Sequence, residues 1–135
     1  MTLRLPSRRR LLMPAFDPRR LPGLVLYLDA SVPSSVLTAG VPSVDGDAVD
    51  TWRDLSGKGN HVTQATGVKK PLYKVGIVNG RHVIRLTGAN QTSLSNSLAL
   101  VQPFTFTVVV KHNNPIDAAY RIACDSATVA SCTLQ

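Results

Sequence analysis

The sequence predicts an all-β fold, an antiparallel β-sandwich of short strands and tight turns. All eight acidic residues are Asp, there is no Glu, and the chain has nine Gly and nine Pro. Glu favours helices, whereas Asp, Gly and Pro favour turns. The 135 residues fit one domain, and a hydrophobic fraction of 44% is enough to form a core. Short apolar runs separated by turn signals predict six or seven strands and no helix.

Positive charge is concentrated at the N-terminus. The first 20 residues hold six Arg and one Asp, which account for +5 of the net charge of +7. We therefore divide the chain into a basic arm, residues 1–20, and a β-sandwich domain, residues 21–135. The arm is predicted to dock on a neighbouring protein, with nucleic acid the less favoured partner and a solvated tail the alternative. The docking residues are Arg4, Arg8, Arg9, Arg10, Arg19 and Arg20.

The apolar run after the arginines is too short for an export signal. It consists of Leu11, Leu12 and Met13 and ends at Pro14. No stretch of the sequence is apolar for long enough to span a bilayer. We therefore expect neither a signal peptide nor membrane contact.

The first predicted elements follow Gly23. Residues 24–28 form a continuous apolar run, which predicts a strand buried on both faces. Residues 31–50 are rich in turn formers, and they are interpreted as a surface connection with short strands around a turn at Asp45 and Gly46.

Two further strand patterns are stronger. Asn79 and Gly80 stand between two strand-like runs in residues 74–86, and both residues accept positive φ, which predicts a two-residue hairpin. Residues 104–111 alternate between apolar and mostly polar positions, which predicts a strand with one face on the core.

A final strand and a further hairpin arm are expected in residues 120–135. They carry the only two cysteines, Cys124 and Cys132. Two buried thiols are the favoured interpretation, and pairing across a hairpin in an oxidising setting is the alternative.

The stretch TWRDLSGKGNH, residues 51–61, is the main candidate site. Gly57, Lys58 and Gly59 lead into a strand-like segment rather than a helix, which argues against a phosphate-binding loop. Asp54 can instead accept hydrogen bonds from the turn that follows it, while Trp52 buries apolar area. The predicted role is a structural turn formed by Trp52, Asp54, Ser56, Gly57, Gly59 and Asn60.

Calcium is the alternative for this stretch. Asp54, Ser56 and Asn60 supply only part of a ligand set, without a closing bidentate carboxylate, and the group of Asp45, Asp47 and Asp50 is the possible source of further oxygens. The candidate calcium ligands are therefore Asp54, Asp45 and Asp47. The three histidines are too far apart in sequence to indicate zinc. The sequence therefore predicts no metal and no other cofactor, with calcium as the weaker possibility.

Four segments in order resemble the laminin-G-like and concanavalin A-like jelly-roll domains of tailed-phage virion proteins and bacterial surface proteins. They are LPGLVLYLDAS, TWRDLSGKGNHVTQ, NGRHVIRLTGANQTSL and QPFTFTVVVK, within residues 16–111. Domains of that family often have Trp where this chain has Tyr27, and they usually continue well beyond the last segment. The resemblance implies the N-terminal half of a jelly roll, whose open edges and apolar faces call for an assembly.

The resemblance implies a non-enzymatic structural or attachment module of a virion, such as a capsid decoration, fibre or tail-associated protein. It would assemble in the host cytoplasm with other virion subunits, as an oligomer. The alternative is a carbohydrate-binding, lectin-like module, calcium-assisted or not, on a virion or a bacterial cell surface. Glycoside hydrolysis needs two carboxylates across a cleft, and the Asp residues lie mostly in turn-like segments, so no enzyme is expected.

Overall fold

The computed structural model describes residues 16–111, 122–125 and 131–134, and in these ranges the protein is all-β. Eight strands form three small antiparallel sheets, accompanied by 3₁₀ turns, with no α-helix in the described ranges. No helix there is long and apolar enough to cross a membrane. The 3₁₀ turns are Pro18–Arg20, Pro33–Ser35, Gly67–Lys69 and Gly88–Asn90.

The first sheet has four short strands in the order β2-β1-β3-β4. They are β1 Val36–Thr38, β2 Val41–Pro42, β3 Thr51–Trp52 and β4 Val62–Thr63. A two-residue turn at Ala39 and Gly40, both with positive φ, joins β1 to β2. Val36, Leu37 and Val49 are buried, so the interpretation of residues 31–50 as a surface connection is wrong, whereas the short strands and the turn at Asp45 and Gly46 are confirmed. The turn formers of this segment flank apolar positions that enter the core.

The second sheet is a hairpin of β5, Leu72–Val78, and β6, Arg81–Arg85. Val78 lies opposite Arg81, so Asn79 and Gly80 alone form the turn. Their φ angles are 49° and 75°, values that Gly and Asn adopt more readily than other residues.

The third sheet pairs β7, Ile122–Asp125, with β8, Ser131–Leu134. The strands are antiparallel, and Cys124 is the register partner of Cys132. This hairpin lies in the region where a last strand and a hairpin arm are predicted.

One hydrophobic cluster connects the first two sheets. Tyr73 of β5 is fully buried, and burial raises the pKa of its hydroxyl. That hydroxyl donates to the carbonyl of Ala30 at 3.2 Å and also contacts Nδ1 of His82. The hairpin is therefore held to the four-stranded sheet by packing, and to the segment at Ala30 by a buried hydrogen bond. The cluster consists of Ala30, Val36, Val49, Val62, Tyr73 and Leu94, with Leu28, Trp52 and Ile84 packed against it.

Two predicted strands are absent. Residues 24–28 are extended but belong to no sheet, and Val25 is exposed, so the prediction of a strand buried on both faces is wrong. Residues 104–111 also form no strand, and Phe104 and Phe106 remain 38% and 41% exposed, so the prediction of a core-packed strand is wrong. The reason is the same in both cases: an alternating or apolar run becomes a strand only when a neighbour pairs with its backbone.

Candidate functional site

The loop that follows β3 turns back sharply over its own start. Gly57 and Gly59 have φ angles of +83° and +77°, which side chains with a Cβ rarely adopt. Neither glycine has a neighbouring atom within 4 Å of the place where a Cβ would stand. These two positions therefore require Gly for its backbone freedom and not for close packing. The result is a compact loop, residues 53–61, which we call the Asp54 loop.

Asp54 lies at the centre of this loop and is only 7% exposed. Its Oδ1 accepts hydrogen bonds from the backbone N–H groups of Tyr27, at 2.9 Å, and Ser56, at 2.8 Å. Its Oδ2 accepts hydrogen bonds from the Ser56 hydroxyl, at 2.7 Å, and from the Asn60 N–H, at 3.1 Å. Four donors thus satisfy one buried carboxylate, which fits the ionised form better than the neutral one.

The pKa of Asp54 reflects two opposed effects. Burial is the largest single effect, and it disfavours the charged carboxylate. The hydrogen bonds from Ser56, Tyr27 and Asn60 act the other way, and together they hold the pKa of Asp54 below its ordinary value. The group is therefore a stable anion at neutral pH, and its charge is used within the fold.

The same loop binds the extended segment, residues 24–28, at several points. The Asn60 side chain donates to the Val25 carbonyl at 2.7 Å, and the Leu55 N–H donates to the Tyr27 carbonyl at 2.7 Å. The Asn60 carbonyl accepts the Asn96 side chain at 3.1 Å. Segments far apart in sequence therefore meet at one loop, and these contacts take the place of a β ladder for the extended segment.

His61 and Trp52 flank the loop in different ways. Nδ1 of His61 accepts a hydrogen bond from the backbone N–H of Asp54 at 3.0 Å, so the ring helps to hold the start of the loop. Trp52 packs against the core, and its Nε1 is buried with no hydrogen-bond partner among the described residues.

The candidate calcium ligands each form hydrogen bonds with different partners. Asp45 accepts the Val75 N–H at 2.9 Å and lies 3.5 Å from the Lys74 ammonium, and Asp47 accepts the Val44 N–H at 2.9 Å. Within residues 16–111, 122–125 and 131–134, no three His, Cys, Asp or Glu side chains are placed to hold a metal ion. Asp54 is therefore not brought together with Asp45 and Asp47.

Only two of the predicted docking arginines lie in the described ranges. Nε of Arg19 forms an ion pair with Asp17 at 2.9 Å, and its Nη2 donates to the same carboxylate at 3.1 Å. The Arg19 side chain lowers the pKa of Asp17 through these hydrogen bonds. Arg20 is exposed. The remaining four, Arg4, Arg8, Arg9 and Arg10, lie outside the described residues.

An open cleft of about 400 Å³ lies between the 3₁₀ turn at Pro18–Arg20 and the Asp54 loop. It is lined by Phe16, Asp17, Arg19, Tyr27, Asp29 and Leu55, among others. Its volume falls within the range of about 300–1,000 Å³ that is usual for small-molecule sites. The predictions from the sequence do not include this cleft.

The cleft combines an exposed ring with hydrogen-bonding groups. Phe16 is 73% exposed. The Tyr27 hydroxyl donates to Oδ2 of Asp29 at 3.1 Å, while Oδ1 of Asp29 accepts the Ser31 N–H at 2.8 Å. Burial, followed by the bond to Asp29, raises the pKa of Tyr27. Each carboxylate oxygen can accept a further hydrogen bond, so the cleft offers acceptors for hydroxyl groups beside an exposed apolar ring.

One sequence signal could have indicated part of the cleft. Tyr27 and Asp29 are two residues apart in an extended segment, and such residues lie on the same side of the backbone. The contribution of Leu55 has no local signal, because the Asp54 loop brings it there from 26 positions beyond Asp29.

No protein-family model, curated protein or solved structure matches the chain.

Replacing Asp54 tests the structural importance of the loop. In Asp54→Ala the N–H groups of Tyr27 and Asn60 lose their acceptor, and we expect the free energy of unfolding to fall by about 2–4 kcal/mol. Asp47→Ala is the matched control, since it removes one exposed hydrogen bond and should cost about 0.5–1 kcal/mol. Urea denaturation measures both. Equal losses in the two variants would contradict a central role for Asp54.

The lowered pKa of Asp54 predicts how this stability depends on pH. A carboxylate with a depressed folded-state pKa stabilises the fold fully above its unfolded pKa of about 3.9, and the contribution is lost as pH falls through the folded pKa. We expect wild type to be clearly more stable than Asp54→Asn at pH 7 and the difference to shrink steadily below pH of about 4. Urea denaturation at a series of pH values checks this, and a difference that stays constant would contradict it.

Proposed function

We propose that the chain is a non-enzymatic structural or attachment module of a tailed-phage virion. The observation that carries the proposal is the hydrogen bonding of the Asp54 carboxylate. The four hydrogen bonds of this buried carboxylate come from the Asp54 loop itself and from the Tyr27 N–H of the extended segment, so they all hold the fold in place. A carboxylate that acts in catalysis has to face a substrate, with a pKa matched to its task.

Exposed apolar side chains support assembly with other subunits. Val101 and Val109 are 85% and 90% exposed, and the rest of residues 104–110 are at least partly uncovered. An apolar strip of this kind is typical of an interaction surface, and an unpaired extended segment can add a strand to a neighbour. On this proposal the described sheets form part of a concanavalin A-like jelly roll, an antiparallel sandwich that other virion subunits complete in an oligomer.

The basic arm is the proposed docking segment. Arg20 is exposed, whereas the charge of Arg19 is partly neutralised by Asp17. Docking on an acidic surface of a neighbouring subunit is the favoured use of the arm. The proposed localisation is therefore the virion, after assembly in the host cytoplasm.

Particle association tests the proposal. Tagged chain is produced in cells that make the particles, which are then separated on a density gradient. We expect the chain to sediment with the particles. Deletion of residues 1–20 should reduce incorporation on the order of tenfold, because several surface ion pairs of about 0.2–1 kcal/mol each would be lost.

A variant with Lys58→Gln and Lys69→Gln is the charge control for the arm deletion. Both lysines are exposed and lie outside the arm, so incorporation should not change. If full-length chain stayed at the top of the gradient, the virion proposal would fail. If the arm deletion and the lysine variant were incorporated as well as wild type, the proposal of docking through the arm would fail. The proposal that the chain belongs to the virion would still stand.

A carbohydrate-binding, lectin-like module is the second candidate function, and the cleft is the observation that favours it. Phe16 offers an exposed ring for stacking against a sugar, and Asp29 offers acceptors for sugar hydroxyls. Asp17, Arg19 and Asp29 give the lining a net charge of −1, which disfavours anionic ligands. The expected ligand is therefore a neutral glycan.

A glycan array tests this second candidate. Wild type should bind neutral glycans in preference to anionic ones, and Phe16→Ala should weaken binding by up to about tenfold through loss of ring stacking. Val68→Ala, at another exposed apolar position, is the control and should bind like wild type. Repeating the array with a calcium chelator separates calcium-assisted from metal-independent binding. Absence of binding, or equal binding by Phe16→Ala, would rule out this cleft as a glycan site.

A further inference from the structure

The β7–β8 hairpin brings the only two cysteines of the chain into register. Four residue pairs form this ladder, and Cys124 opposite Cys132 is one of the two inner pairs. Ala123 opposite Thr133 and Asp125 opposite Ser131 flank it on either side. The cysteine pair is therefore supported by pairing on both sides and does not lie at a fraying end.

Residues that are direct partners in an antiparallel ladder are close enough for a disulfide. Their Cα atoms lie about 4.5 or 5.5 Å apart, depending on whether the pair is hydrogen-bonded. Disulfides usually join Cα atoms about 4.4–6.8 Å apart, so both types of pair meet the requirement. Direct partners also share one face of the sheet, and a slip of a single residue would place the cysteines on opposite faces.

We propose that Cys124 and Cys132 are a redox-modification site that forms an intramolecular disulfide across the β7–β8 hairpin. The oxidant is a small-molecule disulfide such as oxidised glutathione. The inference rests on the strand register and is independent of the virion and lectin proposals.

The reaction proceeds in two exchange steps. The thiolate of one cysteine attacks the small-molecule disulfide, forms a mixed disulfide and releases one small thiolate. The thiolate of the second cysteine then attacks the protein sulfur of the mixed disulfide, which forms the Sγ–Sγ bond and releases the second small thiolate. The protein gives up two electrons and two protons, and both end on the two released thiol molecules. No other reagent is needed.

The redox state would follow the surroundings of the protein. A reducing cytosol keeps such a pair as thiols, whereas an oxidising extracellular medium closes it. The bond would link β7 to β8 covalently only in an oxidising medium, where it would lock this hairpin.

The test is a redox titration of the full chain in glutathione buffers. Samples are quenched with acid, denatured and alkylated, and the intact mass counts free thiols. We expect oxidised wild type to carry no alkyl group and to remain monomeric on a non-reducing gel. Mixed disulfides with glutathione, disulfide-linked dimers or two free thiols at oxidising potentials would overturn the proposal.

A register variant, Cys132→Ser with Thr133→Cys, is the matched control. It keeps two cysteines at almost the same sequence separation but places the second opposite Ala123 rather than Cys124. Its equilibrium constant for oxidation should be at least about tenfold lower than that of wild type, a shift of about 30 mV. In concentrated urea the two should agree within about twofold, because loop closure depends weakly on length. Equal native constants would overturn the assignment to register.

Wild type also serves as its own control if the register variant does not fold. Native wild type should oxidise with an equilibrium constant at least about tenfold higher than that of the same chain in urea, because folding holds the cysteines opposite one another. Equal constants in the two conditions would overturn the proposal. Particle association and glycan binding are measured separately, so failure of this inference leaves both proposed functions standing.

Discussion

The buried carboxylate of Asp54 is the interaction on which the described fold depends most. A charge removed from water is costly unless hydrogen bonds replace its hydration, and four donors do so here. One of these donors is the Tyr27 N–H, which lies 27 positions earlier in the chain. The carboxylate therefore joins the start of the domain to the loop after β3, and the cleft beside that loop takes its shape from the same contacts.

A small core supports this arrangement. Tyr73 carries the β5–β6 hairpin into the cluster that contains Val36 and Val62 of the four-stranded sheet, and its hydroxyl reaches the Ala30 carbonyl. In contrast, residues 101–110 leave apolar side chains uncovered. The combination of a well-packed centre and an uncovered apolar strip is the physical basis for proposing that the protein functions in an assembly.

The sequence predicts the Asp54 loop and the hydrogen bonds that Asp54 accepts from the turn after it, but not the hydrogen bond from Tyr27. The glycines and the short polar side chains indicated a turn, because their effects are local. Nothing local indicated that the donors would include Tyr27, or that Asn60 would reach the carbonyl of Val25. For the same reason the sequence pattern predicts a strand buried on both faces at residues 24–28, although side chains and a single backbone bond from the Asp54 loop hold this segment. The cleft was missed because residues distant in sequence line it.

The sequence by itself determined the all-β character and the turn at Asn79 and Gly80, because the steric preferences of single residues decide whether a chain can adopt positive φ. Tertiary structure decided which apolar runs became strands. The run at residues 72–78 found a partner in β6, whereas the equally strand-like run at residues 104–111 has no described neighbour. A strand requires a second backbone to satisfy its hydrogen bonds, and the position of that backbone is a property of the whole fold.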